Sequence, residues 1–283
     1  MSGDRGATLS PYPDFPARST AGLGAPIRHG PRADGSHTVV AEMNVRPALL
    51  DGEGTSTGAL AVLFDWVIGL AVPSPPPGML MTTTHLHIEM LRPAPRHPLT
   101  LRGEAHCRQL TDAAALGMGT ITDSVGDECA RATMGAFLVE RPPDEVAPLL
   151  QPSIALQHAQ DEPQLNGETV EIGQLALSMR FRAGAETANA AGGVHGGFGV
   201  LMAQRALHAA VDRVKRPGQG LFELHAAFVR PIAADGASID CEVRVLHSGR
   251  RLTVARAELQ DQAGRAAVLV DATYMAGFGV PVE

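Results

Sequence analysis

Two stretches of the chain carry residues whose types and spacing suit chemistry. In the second half, Asn189 is followed six residues later by His195-Gly196-Gly197, and that triplet opens a run of helical pattern. The first N–H groups of a helix have no partner inside it, and they point outward at the positive end of the aligned peptide dipoles. A glycine there removes the side chain that would hold a substrate away. Such a turn suits a carbonyl oxygen that becomes an oxyanion as its carbon is attacked. In the first half, Asp65 stands in a helical run between Phe64 and Trp66, with Val62, Leu63 and Val67 close by. A carboxylate among apolar neighbours is costly to bury and asks for a reason. General-base catalysis on water and nucleophilic attack are both within its chemistry.

Each feature has a plainer reading. Gly192-Gly193 and Gly196-Gly197 also suit a tight turn with no further role. Thr82-Thr83-Thr84 either lines a pocket or simply begins a strand, where β-branched residues are at home. Gly54-Thr55-Ser56-Thr57-Gly58 matches the G-x-S-x-G pattern of serine hydrolases, but Leu50-Asp51-Gly52-Glu53 before it is turn chemistry rather than the buried strand that motif needs. His85 and His87 share a strand face without a third ligand at convincing spacing, so no metal is expected. There is no Walker-type loop.

The elements around these residues occur twice. Leu91-Arg92-Pro93 matches Val229-Arg230-Pro231, and Asp123-Ser124-Val125-Gly126 matches Asp261-Gln262-Ala263-Gly264, both at an offset of 138 residues. Upstream, Gly54 to Leu63 matches Gly193 to Met202 at an offset of 139. Ordered matches within a one-residue slip indicate a duplicated unit. Each unit reads as a short strand, one helix (57–71 and 196–213) and then four extended runs with tight turns. One helix per several strands implies an antiparallel sheet with the helix against one face, an α+β layout. The expected division is an irregular arm over residues 1–35, a first domain over 36–140, a Pro-rich linker over 141–168 and a second domain over 169–283.

Composition narrows the function classes. Among 283 residues the net charge is −7, and no Lys/Arg run interleaves with aromatics, which speaks against nucleic acid as a partner. The longest apolar stretch, 59–72, is too short for a membrane span and contains Asp65. Three cysteines in strand-like runs form no disulfide framework, so a cytoplasmic location with reduced thiols is expected.

Strand, long helix and antiparallel meander, with a Gly-rich helix start, resemble the hotdog fold. Asn189 with His195-Gly196-Gly197 resembles the signature of the phenylacetic-acid-type acyl-CoA thioesterases, which add a helical Asp or Glu nine residues after the His. This chain departs from that pattern. Gln204 stands nine residues after His195, whereas Asp65 stands nine after Ser56, the counterpart of the His. Nine residues of helix rise about 13.5 Å, so a helix start and its own ninth residue cannot share one carbonyl. The resemblance implies a tandem (double) hotdog, with two antiparallel sheets each wrapping a long central helix and the helices side by side and antiparallel. It then implies a complete site from His195-Gly196-Gly197 with Asp65, and a degenerate one from Ser56-Thr57-Gly58 with Gln204. By the same resemblance the reaction is hydrolysis of an acyl-CoA. Gly196 N–H would be the first oxyanion donor and Gly197 N–H the second. His195 and Asn189 would orient the carbonyl or the water, and Arg250 and Arg251 would meet the CoA phosphates. No cofactor beyond the substrate's coenzyme A is expected, and pairing of two chains into a homodimer is. The competing expectation is a non-catalytic binding protein for acyl or CoA esters. The Gly-Asp-x-Asn-Pro-x-His pattern of hotdog hydratases is missing.

Overall fold

The computed structural model describes residues 16–24, 27–31, 37–51, 57–73, 79–95, 100–140, 165–189 and 191–279. The first unit contains β2 (His37–Asn44), helix α2 (Thr57–Ala71), β3 (Met79–Met90), β4 (Thr100–Leu110), β5 (Ala114–Thr122) and β6 (Glu128–Glu140). The second contains β8 (Ala176–Arg182), helix α3 (Gly196–Val211), β9 (Gln219–Phe228), β10 (Ser238–Ser248), β11 (Leu252–Gln260) and β12 (Ala266–Ala276). Preceding them are α1 (Pro16–Ala21) with β1 (Ile27–Pro31), and β7 (Glu168–Ile172) respectively.

The twelve strands among the described residues join one antiparallel sheet in the order β1-β2-β4-β5-β6-β3-β9-β12-β11-β10-β8-β7. The expected two sheets are therefore one. The joint is β3 against β9, running from His85 opposite Ala227 to Glu89 opposite Glu223. Both edges are consumed there, so neither unit keeps an unpaired strand at its centre. His87 pairs with His225, its own counterpart at the offset of 138, so the two units meet about a local two-fold axis at that pair. The strand order in each unit, read outward from the joint, is the same.

Both central helices lie on one face of the sheet and against each other. In α2, fourteen of the fifteen residues are buried, which explains why it is apolar on every side rather than striped. The close approach rests on glycine. A methyl carbon on Gly197 would stand 2.4 Å from Val62 Cα, and one on Gly58 would stand 2.8 Å from Leu201 Cγ. These are equivalent contacts on the two sides of the axis, and they fix the start of each helix against the middle of the other. Buried side chains of both units form a single core.

The arm over residues 1–35 is not irregular throughout. Strand β1 extends the sheet at β2, and α1 reaches the second unit through Ala17 N–H, which donates to Ala188 O at 3.2 Å. Ala17 and Ala21 are buried, so this short, mostly polar helix packs through its two alanines although its sequence showed no period. The expected linker lies, from 141 to 164, outside the described residues; of its remainder, Leu165 is buried and Glu168 already begins β7. Among the described residues no helix is long and apolar enough to cross a membrane. The three cysteines are buried thiols.

Candidate active site

The turn ahead of α3 is built by its own backbone. Asn189 Oδ1 accepts from Ala191 N–H at 2.9 Å and Gly193 N–H at 3.1 Å, and Asn189 N–H donates to Gly193 O at 2.7 Å. Val194 N–H then donates to Ile232 O at 2.8 Å, and His195 N–H to Thr187 O at 2.8 Å. Asn189 thus spends its side-chain oxygen on bracing this loop. His195 is the N-cap of α3 in extended conformation, with φ −60° and ψ 135°, and its carbonyl accepts the first helical bonds from Phe198 and Gly199.

Asp65 comes to this helix start from the other unit. Its Oδ2 accepts from Gly197 N–H at 2.9 Å and lies 3.3 Å from His195 Nδ1. Only 8% of Asp65 and 7% of His195 is exposed, so the pair is screened little by water. The apolar setting seen in the sequence is real, and the donors answer the cost of burial. A methyl carbon on Gly196 would stand 2.8 Å from Asp65 Oδ2, which explains glycine there. Backbone geometry then keeps the Gly196 nitrogen within roughly 5 Å of the carboxylate. Gly196 is half-buried and Gly197 buried. Since Gly197 N–H is taken by Asp65, Gly196 N–H is the one left for a bound oxygen.

Thr83 completes the arrangement. Its Oγ1 donates to Asp65 Oδ1 at 3.3 Å. The strand β3 carries a bulge here, because Thr83 faces Ala136 and His85 faces Gly135 on β6, leaving Thr84 unmatched. A bulge re-aims neighbouring side chains. Three threonines in a row gave no sign of which one would turn inward; register on β6 is what selects Thr83.

The equivalent place on the other side of the axis is different. Gln204 Nε2 donates to Thr57 Oγ1 at 2.7 Å, and Thr57 Oγ1 donates to Asp51 Oδ2 at 3.2 Å. Gln204 stands where Asp65 stands and Thr57 where Gly196 stands; Leu221, the counterpart of Thr83, is buried. Ser56 lies outside the described residues. Arg250 and Arg251 are not brought to His195. Their turn lies at the far end of α3, where Ser248 Oγ donates to Val214 O at 2.8 Å, one helix length of about 24 Å from its start. His87 Nε2 bonds Glu223 Oε1 at 3.0 Å across the sheet joint, and no group of His, Cys, Asp and Glu among the described residues is placed to hold a metal.

Burial holds the His195 imidazole below its ordinary range, against the opposing charge of Asp65. At neutral pH it is therefore neutral, able to orient a polar atom without adding a charge. His208 behaves in the opposite way. Burial pulls it down, but the hydrogen bond and charge of Asp212 outweigh that and raise it.

Residues 185–277 match the family of the acyl-CoA thioesterase N-terminal domain, a span that holds Asn189, His195, Gly196 and Gly197 but not Asp65. No curated protein matches the chain in sequence. Among solved structures it is similar to a putative oleoyl thioesterase from Lactobacillus plantarum, at 14% identity and TM-score 0.59 over 87% of this chain and 98% of that one. It is also similar to the TesB protein of Mycobacterium avium subs paratuberculosis, at 11% identity and TM-score 0.59 over 92% and 97%. The 12:0-ACP thioesterase from Umbellularia californica follows at 10% identity and TM-score 0.56 over 84% and 93%. At these identities the structural likeness is one of fold. The match over residues 185–277 is to an acyl-CoA thioesterase domain, and the chain as a whole shares the fold of these solved thioesterases.

Proposed function

We propose that this chain is a double hotdog made by duplication, and that it hydrolyses an acyl-CoA to the free acid and CoA at one composite site between its halves. The observation that carries this reading is the placement of Asp65, from the first half, 2.9 Å from the N–H of Gly197 in the second. Asp65 and Thr83 hold a water between the first half's helix and strand. The thioester carbonyl lies at the start of α3, its oxygen on Gly196 N–H. Asp65 takes the water's proton as the hydroxyl attacks, the Gly196 N–H and the helix dipole stabilise the oxyanion, and on collapse the C–S bond breaks and Asp65 returns that proton to the sulfur, so that CoA leaves as thiol. His195, neutral and beside Asp65, and Asn189, through the loop it braces, hold this geometry. At the equivalent place Gln204 holds the position of the acid and does not take a proton near neutral pH, and the nearby Asp51 is engaged by Thr57, so the chemistry is assigned to the Asp65 side alone.

The test is release of free thiol from a panel of acyl-CoAs by the purified chain. Many turnovers per chain support hydrolysis. Stoichiometric binding of acyl-CoA without thiol release would make it a binding protein instead.

A further inference from the structure

The two halves differ beside the site in a way that the catalytic groups do not explain. Of the residues of α2, Gly69 is the one that is not buried. The inner face of β3 is likewise half-open at Met79, Met81 and Thr83, and closes only from Leu86 onward. A methyl carbon on Gly69 would meet Met81 Cε at 3.7 Å and Met134 Cε at 3.9 Å. Met134 Sδ lies 3.9 Å from Thr83 Oγ1, which itself bonds Asp65. These contacts trace a line from the Asp65 carboxylate over two thioether tails to Gly69, the half-open position of α2.

The second half is built differently along the same line. The counterpart of Gly69 is His208, that of Met81 is Gln219 and that of Ala136 is Tyr274. Tyr274 is fully buried opposite Leu221, as Ala136 is opposite Thr83. Gln219, 1% exposed, is tied to Thr253 Oγ1 and Gly249 O. At these three positions larger or hydrogen-bonded side chains replace glycine, methionine and alanine, while Met134 has the smaller Ala272 as its counterpart. Methionine is unbranched, and its tail moves aside at little cost.

We propose that the path past Thr83 to Gly69 receives the acyl chain, with Met81 and Met134 as displaceable walls, and that Gly69 sets the length accepted. This rests on the thioesterase reading above. The chemistry of the walls selects a slim, unsubstituted alkyl chain. Beyond Thr83 the walls named here, Met81 and Met134, offer methyl and thioether groups, against which a polar substituent would lose its hydrogen bonds to water.

The test compares kcat/KM for decanoyl-CoA with that for acetyl-CoA. Gly69→His, which installs the other half's residue, is expected to lower this ratio roughly ten-fold or more. Met81→Ala, which widens the path, is expected to raise it, and serves if Gly69→His does not fold. Ratios unchanged in the folded variants, or a preference for aromatic over straight-chain acyl-CoAs, would overturn the proposal while leaving the hydrolase in place. A wild-type chain inactive on every acyl-CoA would overturn the thioesterase reading, and the acyl path with it.

Discussion

Asp65 and Gly197 are 132 residues apart in sequence and in direct contact in the fold, the amide N–H of one donating to the carboxylate of the other at 2.9 Å. Neither unit alone can hold this contact. The carboxylate is set by the middle of α2, the amide by the start of α3, and the helices are locked by glycines too close for any side chain. Gly197→Ala should therefore act on stability as well as on activity. Its methyl would meet Val62 Cα at 2.4 Å, a backbone atom that cannot swing away. Overpacking of this kind costs about 1–3 kcal/mol, read as a lower midpoint in denaturant unfolding. An unchanged midpoint would mean that the helices are farther apart than described.

Thr83 is expected to position Asp65 through its 3.3 Å hydrogen bond. Thr83→Val should lower kcat by about ten-fold, the low end for a hydrogen bond to a charged group. Thr83→Ser keeps the hydroxyl and should restore most of the rate. If Ser and Val fall together, the side chain acts by shape and the hydroxyl has no role.

Much of this was legible in the sequence, for identifiable reasons. The repeat gave the order of elements, because offsets of 138 and 139 persist through strands whose alternation is intact. The helix start at His195 and the acid at Asp65 stood out because glycines and a carboxylate are conspicuous among apolar neighbours. Three things were not legible. The fusion into one sheet depends on β3 meeting β9, a pairing between halves that no local pattern encodes. The inward turn of Thr83 depends on a bulge set by β6. Strand β1 lies in a segment whose composition reads as loop and which is ordered by an edge it finds on β2.

His195 and His208 should titrate on opposite sides of the ordinary imidazole value of 6.5. For His195, lowered by burial, the unfolded chain takes up a proton that the native chain refuses as pH falls through 6.5, so stability is lost on acidification. For His208, raised chiefly by Asp212 against burial, the stabilisation is full below 6.5 and is lost as pH rises through its folded pKa. Ring carbon shifts followed by NMR between about pH 5 and 8 resolve the two. Unfolding midpoints should agree: His195→Gln loses less stability than wild type on acidification, and the deficit of His208→Gln is largest in acid. His195 titrating above His208 would reverse the assignment.

Gln204→Ala removes the buried bond to Thr57, 2.7 Å long, and should cost about 1–3 kcal/mol of stability. Its rate of hydrolysis should stay within a few-fold of wild type, since a glutamine does not take a proton near neutral pH. A large loss of rate at full folding would move the chemistry to the other side of the axis.

The most direct test of the composite site is the hydrolysis rate of Asp65→Asn, with circular dichroism to confirm the fold. Asparagine is nearly isosteric, and its amide oxygen can still accept from Gly197 N–H. A rate lower by about 10²–10⁴ at unchanged fold is the expected result for a lost general base. A folded Asp65→Asn variant that hydrolyses acyl-CoA at the wild-type rate would contradict the site.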